Sequence, residues 1–364
     1  MERRSTRAVR VGEVTIGAGA PISVQSMTKT HTVDVEATLD QVEELAALGC
    51  EITRCAVPNR KAAQALGVIA ERSPLPVVAD IHFDYHLALL AVEAGAQGVR
   101  VNPGNMRDEE GIRRVYRAAA EAGIKVRIGV NSGSIRPRHG LEVAEEGPDA
   151  ELAELMVGEA LASARTAEQE GLQSIVLSLK ASDVPTTISA YRLAAGRCDY
   201  PFHLGVTAAG PPDVSIVKSA VGIGTLLAEG IGDTVRVSMT GTPHEEVKAA
   251  IAILESLGLR RPVGPEIISC PTCARCEIDL CALVEEVRGR LADLPRNVKV
   301  AVMGCVVNGP GEAAEADVGI AGGRDFGYVF RHGRKVRRVA ADRMADALVA
   351  EARKVCMERS ATGD

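Results

Sequence analysis

Past residue 20 the chain repeats one unit eight times: a short aliphatic run, a polar or charged residue at its end, then an alanine-rich segment with helical spacing. The runs that read as strands are 22–27, 51–57, 77–82, 98–102, 125–131, 174–180, 202–207 and 234–239. Eight consecutive strand–helix units in about 240 residues are the signature of a TIM (β/α)8 barrel, because each parallel strand needs a crossover helix to reach the next. A doubly wound open sheet is the nearest alternative, and it supplies no reason for eight repeats. Apolar residues are 46% of the chain and aromatics 2%, so the core is built from Ala, Val, Ile and Leu. That composition suits strands buried on both faces.

Some helix starts are legible. Val35, Leu39, Val42 and Leu45 form one stripe of a helix that follows Asp34, whose carboxylate suits an N-cap. Thr242-Pro243-His244-Glu245 reads as a capping box with proline at the first helical position. The rhythm breaks twice. Residues 132–149 are long for a strand–helix connection and rich in Gly, Pro and charge, including Arg136, Arg138 and His139. Either a lid over the site or a solvated surface loop is expected there. Residues 260–265, rich in proline and glycine, read as a linker. Beyond it come a strand at 266–269, a helix to about 291, a strand at 299–303, strands near 317–320, 327–331 and 335–339, and a helix from about 341. The expected division is a barrel over residues 1–260 and a small α/β domain over 261–364.

In a TIM barrel the working face lies at the C-terminal ends of the strands, and alternate strand residues point inward. Parity puts Arg100 with Asn102, Arg127 with Asn131, Ser178 with Lys180, and Arg236 with Ser238. Arg54, the pair Asp80 and His82, and Thr207 hold matching late positions on three more strands. Branched aliphatics normally fill this space, so burying the cations Arg54, Arg100, Arg127, Lys180 and Arg236 there is costly unless an anion joins them. One such arginine is easily an outward-facing ion-pair partner; five at matching strand ends are not. Arginine's planar fork suits phosphate oxygens, so a ligand with several negative charges is expected. No Gly-x4-Gly-Lys-Ser/Thr phosphate loop occurs.

The formal net charge of −6 argues against nucleic acid as the main partner. The N-terminus is basic but lacks the apolar run of a signal peptide, and no stretch reaches the roughly 18 apolar residues of a membrane span. A cytoplasmic protein with no membrane association is the expectation. Nine cysteines in such a chain do not suit a disulfide framework, and four of them fall within residues 270–281.

Cys270-Pro271-Thr272-Cys273-Ala274-Arg275-Cys276 has metal-ligand spacing, because two residues between thiolates let both sulfurs face one centre. A second cysteine turn runs from Gly304 and Cys305 through Asn308 to Glu312. Structural zinc would take Cys270, Cys273, Cys276 and Cys305, or would use Cys281 instead. An ordinary iron–sulfur cluster would also take four thiolates. In neither case has Glu312 a role.

Four motifs together, Cys270-Pro-Thr-Cys273, Gly304-Cys305-Val-Val-Asn308-Gly-Pro-Gly-Glu312, Val101-Asn102-Pro103-Gly104-Asn105 and Lys180-Ala-Ser-Asp183-Val, make the chain resemble the 4-hydroxy-3-methylbut-2-enyl diphosphate synthase family. The resemblance runs along nearly the whole chain, in the short bacterial form without an inserted middle domain. It implies a [4Fe-4S] cluster held by Cys270, Cys273 and Cys305 with Glu312 as an exchangeable fourth ligand, and Asn308 as a hydrogen-bonding neighbour. It implies reductive opening and dehydration of 2-C-methyl-D-erythritol 2,4-cyclodiphosphate, with electrons from reduced ferredoxin or flavodoxin. Its diphosphate contacts would fall on Arg54, Arg100, Arg127, Asn131, Lys180, Thr207, Arg236 and Ser238, with Asp80 and His82 nearby. It further implies a homodimer in which the cluster domain of one chain covers the barrel mouth of the other.

Two positions depart from the family's pattern. Where the family has Gly-Val/Ile-Thr-Glu-Ala-Gly, this chain has Gly205-Val206-Thr207-Ala208-Ala209-Gly210, so a carboxylate suited to donate a proton is missing. Cys276 adds a thiol beside the implied cluster, as an idle neighbour or as a ligand displacing Glu312. Two other functions fit parts of the pattern. One is a non-catalytic cluster protein that senses or carries electrons. The other is a phosphate-binding TIM-barrel enzyme with a zinc-stabilised appendage, handling pterin-like substrates.

Overall fold

The computed structural model describes residues 2–106, 108–139, 149–207, 210–261, 264–294, 298–307, 311, 313 and 315–362, without the side chains of 136–139 and 360–362. The chain forms two compact units, Met1–Arg260 and Arg261–Asp364.

The first unit begins with an antiparallel hairpin of β1 (Val9–Val11) and β2 (Val14–Ile16). Its turn depends on Gly12, whose φ of +54° is strained for residues with a side chain. Eight strands then alternate with helices: β3 (Ser23–Met27), α1 (Val35–Ala47), β4 (Ile52–Ala56), α2 (Arg60–Arg72), β5 (Val77–Asp80), α3 (Tyr85–Glu93), β6 (Gly98–Val101), α4 (Glu109–Glu121) and β7 (Lys125–Asn131). They continue as α5 (Ser132–His139), α6 (Ala150–Gln169), β8 (Ile175–Lys180), α7 (Val184–Ala195), β9 (His203–Leu204), α8 (Pro212–Ala228), β10 (Thr234–Val235) and α9 (Pro243–Ser256). Each strand lies parallel to its neighbour in the order β8-β7-β6-β5-β4-β3-β10-β9, and a bridge between Leu177 and Phe202 joins the two ends. The barrel expected from the eightfold repeat is therefore present.

The hairpin, which lay outside the repeat, has a definite place. Val9, Val11 and Ile16 pack with Ile52, Val78 and Val176, the early inward residues of β4, β5 and β8. This apolar plug closes the N-terminal end of the barrel and keeps water from the polar interior above it.

Asp34, Asn59, Asp84, Asp108, Asp149 and Asp183 each accept a backbone N–H at a helix start, as at Asp34 from Ala37 at 3.2 Å. Such caps are worth about 1 kcal/mol each. The capping box expected at Thr242 is not made: its side chain caps nothing, and the helix starts on Pro243. The 132–149 segment also differs from expectation, because Ser132–His139 is helical and continues directly from β7. Residues 140–148, half of the segment expected to be a lid or a surface loop, lie outside the described residues. The last two strands shorten to residues 203–204 and 234–235, since beyond them only single backbone bonds persist, Arg236 N to Leu204 O at 3.0 Å and Thr207 N to Ala181 O at 3.1 Å.

The second unit is a five-stranded sheet of β11 (Glu266–Ser269), β12 (Lys299–Met303), β13 (Val318–Gly322), β14 (Phe326–Arg331) and β15 (Arg334–Ala340) in sequential order. The first three strands are parallel and the last two are added antiparallel. Helices α10 (Leu280–Arg290) and α11 (Met344–Thr362) contribute Val287, Leu348 and Ala352 to a core with Val300, Val302, Val318, Ile320 and Val329. Ala301, Met303, Ala321 and Phe330 form a second apolar layer. No helix among the described residues is long and apolar enough to cross a membrane.

Candidate functional site

The strand parity read from the sequence is realised inside the barrel. Asp80, at the end of β5, is the hub: Arg100 Nη1 lies 3.5 Å from its Oδ1, while His82 Nε2 at 3.3 Å and Arg54 Nε at 3.9 Å lie by its Oδ2. Burial alone would raise the Asp80 pKa, but Arg54, His82, Arg100 and Arg127 outweigh it and hold the carboxylate well below its usual range. Arg127 is buried and donates to Gln25 Oε1 at 2.5 Å. Arg54 also reaches the sulfur of Met27 at 3.0 Å. Lys180 lies opposite Asn131 in the β7–β8 ladder, and Ser178 opposite Gly129. Arg236 is held by Glu246 of α9, its Nη2 3.0 Å from Oε2. Thr207 and Ser238 are half-buried just beyond the shortened strands, while His82 stays half exposed at the rim.

Glycines make the room. A Cβ on Gly205 would sit against Lys180 Nζ and 2.6 Å from Arg236 O, and one on Gly129 would sit 3.1 Å from Arg100 Nε. Only hydrogen at these positions lets the cationic side chains lie across the neighbouring strand.

The interior holds more than the sequence reading named. Lys125 and His203 are fully buried inward residues on the same faces as Arg127 and Gly205. Burial first, and then neighbouring cations, push Lys125, Lys180 and His203 well below their ordinary pKa values. Parity did signal Lys125 and His203, but their early strand positions concealed them. Gln25 shares that explanation. Glu246 gave no signal, because it sits on a helix and reaches inward. Among the described residues, six inward Lys or Arg side chains, joined at the rim by Lys29, therefore face two buried carboxylates, Asp80 and Glu246. Asp80 Oδ1, Arg127 Nε, Arg236 Nε and His203 Nε2 are buried without a hydrogen-bond partner. Buried polar atoms are seldom left unpaired, so this is an interior arranged for an anionic, hydrogen-bonding ligand.

In the second unit, Cys270 directly follows β11 and Cys305 lies just past β12. Because these strands are adjacent and parallel, with Ser269 opposite Val302, both cysteine turns leave the same end of the sheet. Gly304 N donates to Cys270 Sγ at 3.4 Å, and Glu277 N donates to Gly304 O at 3.1 Å, tying one turn to the other. Among the described residues no three side chains already converge on a metal. The donor set nevertheless suits a thiolate-held centre: three thiols at neighbouring strand ends, with a backbone N–H aimed at one sulfur. Cys276 is otherwise engaged. Its thiol donates to Ile278 O at 3.3 Å, and its sulfur lies 2.5 Å from where a Cβ on Gly304 would be. Asn308, Glu312 and Ala208 lie outside the described residues.

The GcpE TIM-barrel domain model matches residues 6–251, and the GcpE protein C-terminal domain model matches residues 266–354. The chain belongs to the GcpE family. A relative from Geobacter sulfurreducens, named 4-hydroxy-3-methylbut-2-en-1-yl diphosphate synthase (flavodoxin), is 53% identical over 361 residues, covering 98% of this chain and 99% of its own. A relative of the same name from Lawsonia intracellularis is 50% identical over 361 residues, covering 99% of each. Among solved structures, a Yersinia pestis dihydropteroate synthase superposes on 70% of this chain and 100% of its own, with a TM-score of 0.49 and 12% identity. In this GcpE chain the barrel cations and the cysteine turns thus lie within the two parts that the family models match.

Proposed function

We propose that the chain catalyses the reaction named for its relatives, forming (E)-4-hydroxy-3-methylbut-2-enyl diphosphate from 2-C-methyl-D-erythritol 2,4-cyclodiphosphate. Ring opening breaks a C–O bond to phosphate, and one hydroxyl leaves as water, for a total uptake of two electrons and two protons. The observation that carries this reading is the unneutralised cation cluster inside a closed barrel, with buried donors that lack partners. Arg54, Arg100, Arg127, Lys180 and Arg236 would bind the diphosphate, while Asn131, Thr207 and Ser238 donate or accept at its edge. Asp80 keeps Arg54 and Arg100 in place and His82 stands at the rim. In this dry interior each charge-assisted hydrogen bond is stronger than in water.

Cys270, Cys273 and Cys305, with Glu312, would hold a [4Fe-4S] cluster, and Asn308 would hydrogen-bond beside it. When bound, the cluster supplies the electrons and a Lewis-acidic iron for the departing oxygen. Gly304 N–H steadies the sulfur of Cys270. The electron donor would be flavodoxin, the partner in the relatives' names, or ferredoxin. Nine free thiols suit a reducing cytoplasm. An apolar stripe of Val214, Val217 and Val221 on α8, 42%, 62% and 51% exposed, supports a homodimer.

The test is an anaerobic assay of the iron–sulfur-reconstituted chain with reduced flavodoxin and the cyclodiphosphate. Product formation that is lost in Arg127→Met supports the reading. A colourless, zinc-loaded protein without activity would sink it in favour of the zinc-stabilised alternative. A sensor or carrier without a substrate has no use for Arg54, Arg100, Arg127 and Lys180 in one pocket.

A further inference from the structure

The outer strand of the second unit's sheet carries charge that the proposed chemistry leaves unused. Between Asp325 and Asp342 the chain has five cations, Arg331, Arg334, Lys335, Arg337 and Arg338, and no carboxylate, within a protein of net charge −6. Residues Arg334 to Arg338 of β15 are all exposed. Arg331 is paired with Glu351 and Glu358, and Arg337 donates to Ala347 O on α11 at 3.3 Å. Lys335 and Arg338 are used differently. Lys335 Nζ lies 3.1 Å from the centre of the Tyr328 ring and Arg338 Cζ 3.9 Å from that of Phe326. Such stacking holds a cation in place without neutralising it.

The turn between β13 and β14 connects this strip to the cysteine turns. Arg324 N donates to Glu277 Oε2 at 3.1 Å, and a Cβ on Gly323 would lie 3.5 Å from Val306 Cγ1. Arg275 is exposed within the first cysteine turn and Arg324 beside it. Val307, 69% exposed, follows Cys305, and Val336 on β15 is 49% exposed. Among the described residues, Arg275, Arg324, Lys335 and Arg338 form no salt bridge. Charges on a free edge strand deter strand pairing. That explains a row of cations, but not two of them laid on aromatic rings, nor the contacts leading from them to the cysteine turns.

We infer that Arg275, Arg324, Lys335 and Arg338, with Val307 and Val336, form the docking face for a small electron-carrier protein with an acidic surface. The inference rests on the proposed reaction, which takes up two electrons per turnover. Each docking delivers one electron and releases an oxidised carrier, so two dockings balance one ring opening. Unpaired cations steer such a partner from a distance, and a small apolar contact allows it to leave again. Electron-transfer contacts of this kind bury less than about 1,200 Å².

The test uses the full-length, cluster-loaded protein and its Lys335→Glu/Arg338→Glu variant, with Lys335→Gln/Arg338→Gln as a milder control. Turnover of the cyclodiphosphate is driven either by reduced flavodoxin or by reduced methyl viologen, a small donor that needs no docking face. Binding of 15N-labelled flavodoxin is followed separately by NMR at low and high salt. In the glutamate variant, flavodoxin-driven kcat/KM at low salt should fall at least tenfold and lose most of its salt dependence. Flavodoxin binding should weaken in parallel, with the viologen rate and the oligomeric state unchanged. Unaltered flavodoxin binding and rate overturn the proposal. So does dissociation of the oligomer with loss of both rates, which makes the strip a contact between copies. If neither donor drives the wild type, the reaction proposed above fails, and the NMR titration still decides the docking face.

Discussion

Arg236 and Glu246 form a buried ion pair in which Arg236 Nη2 donates to both carboxylate oxygens, at 3.2 and 3.0 Å. Glu246 also takes Met239 N at 3.3 Å and lies 3.1 Å from Lys29 Nζ, so one helix residue ties the segment after β10 to the segment after β3. Removing one partner of a buried pair leaves the other uncompensated, at a cost of about 3–5 kcal/mol. Glu246→Ala should therefore destabilise the barrel by about that amount, and Glu246→Gln by less because it can still accept from Arg236. Urea unfolding followed by circular dichroism measures both.

Lys180 presents the opposite case. It is buried among Arg127, Arg236, Arg54 and Arg100, so its charge is a burden until an anion arrives. Lys180→Met should raise the melting temperature of the free protein. The same change should weaken pyrophosphate binding by about ten- to a hundredfold, the range for one charge-assisted hydrogen bond. Thermal denaturation and titration calorimetry should move in these opposite directions, and a variant that loses both would contradict the assignment.

The depressed lysines also fix a sign for pH dependence. In the free protein Lys125 and Lys180 have pKa values well below that of an exposed lysine, and an incoming diphosphate favours their protonated forms. Binding should take up protons, and affinity should fall as pH rises above the depressed free-protein pKa values. The unfolded chain binds more protons than the free fold between those values and lysine's ordinary pKa of about 10.4, so free-protein stability should rise with pH across that window. Calorimetry in two buffers of different ionisation enthalpy reads the proton uptake directly.

Cys276 is wedged against Gly304 with its thiol already donating, which favours a packing role over ligation. Cys276→Ser should leave iron and sulfide content near wild type, whereas Glu312→Ala should reduce it. Gly304→Ala should impair cluster assembly, and Cys276→Ala should relieve much of that defect by vacating the space a new methyl needs. A loss of iron in Cys276→Ser comparable to that in Cys270→Ser would make Cys276 a ligand.

Ala208 stands where the family pattern has glutamate. Restoring the carboxylate returns a group suited to proton transfer, worth about 10²-fold or more when well placed. Ala208→Glu should raise turnover of the cyclodiphosphate at unchanged cluster content. Single-turnover kinetics would show the gain in the chemical step, and an equal or slower rate would discount the carboxylate.

The barrel and most of its cationic lining were legible in the sequence because both depend on local periodicity. A strand reverses its side chains every second residue, so Arg100 and Asn102, or Ser178 and Lys180, must share a face wherever the strand lies. The cysteine turns were legible for a similar reason, since ligand spacing is a short-range property. Glu246 reaches Arg236 only because α9 packs over the end of β10, and Lys125 and His203 lie among the same cations only because the sheet closes between Leu177 and Phe202. The spacing left Cys276 as either an idle neighbour or a ligand, and packing against Gly304 with a bond to Ile278 O gives its sulfur another engagement. The first residues carried no signal at all until closure left an open barrel end for Val9, Val11 and Ile16 to fill. Side-chain direction is set within a few residues, but which side chains share a space depends on register and closure, and those arise only when distant strands meet.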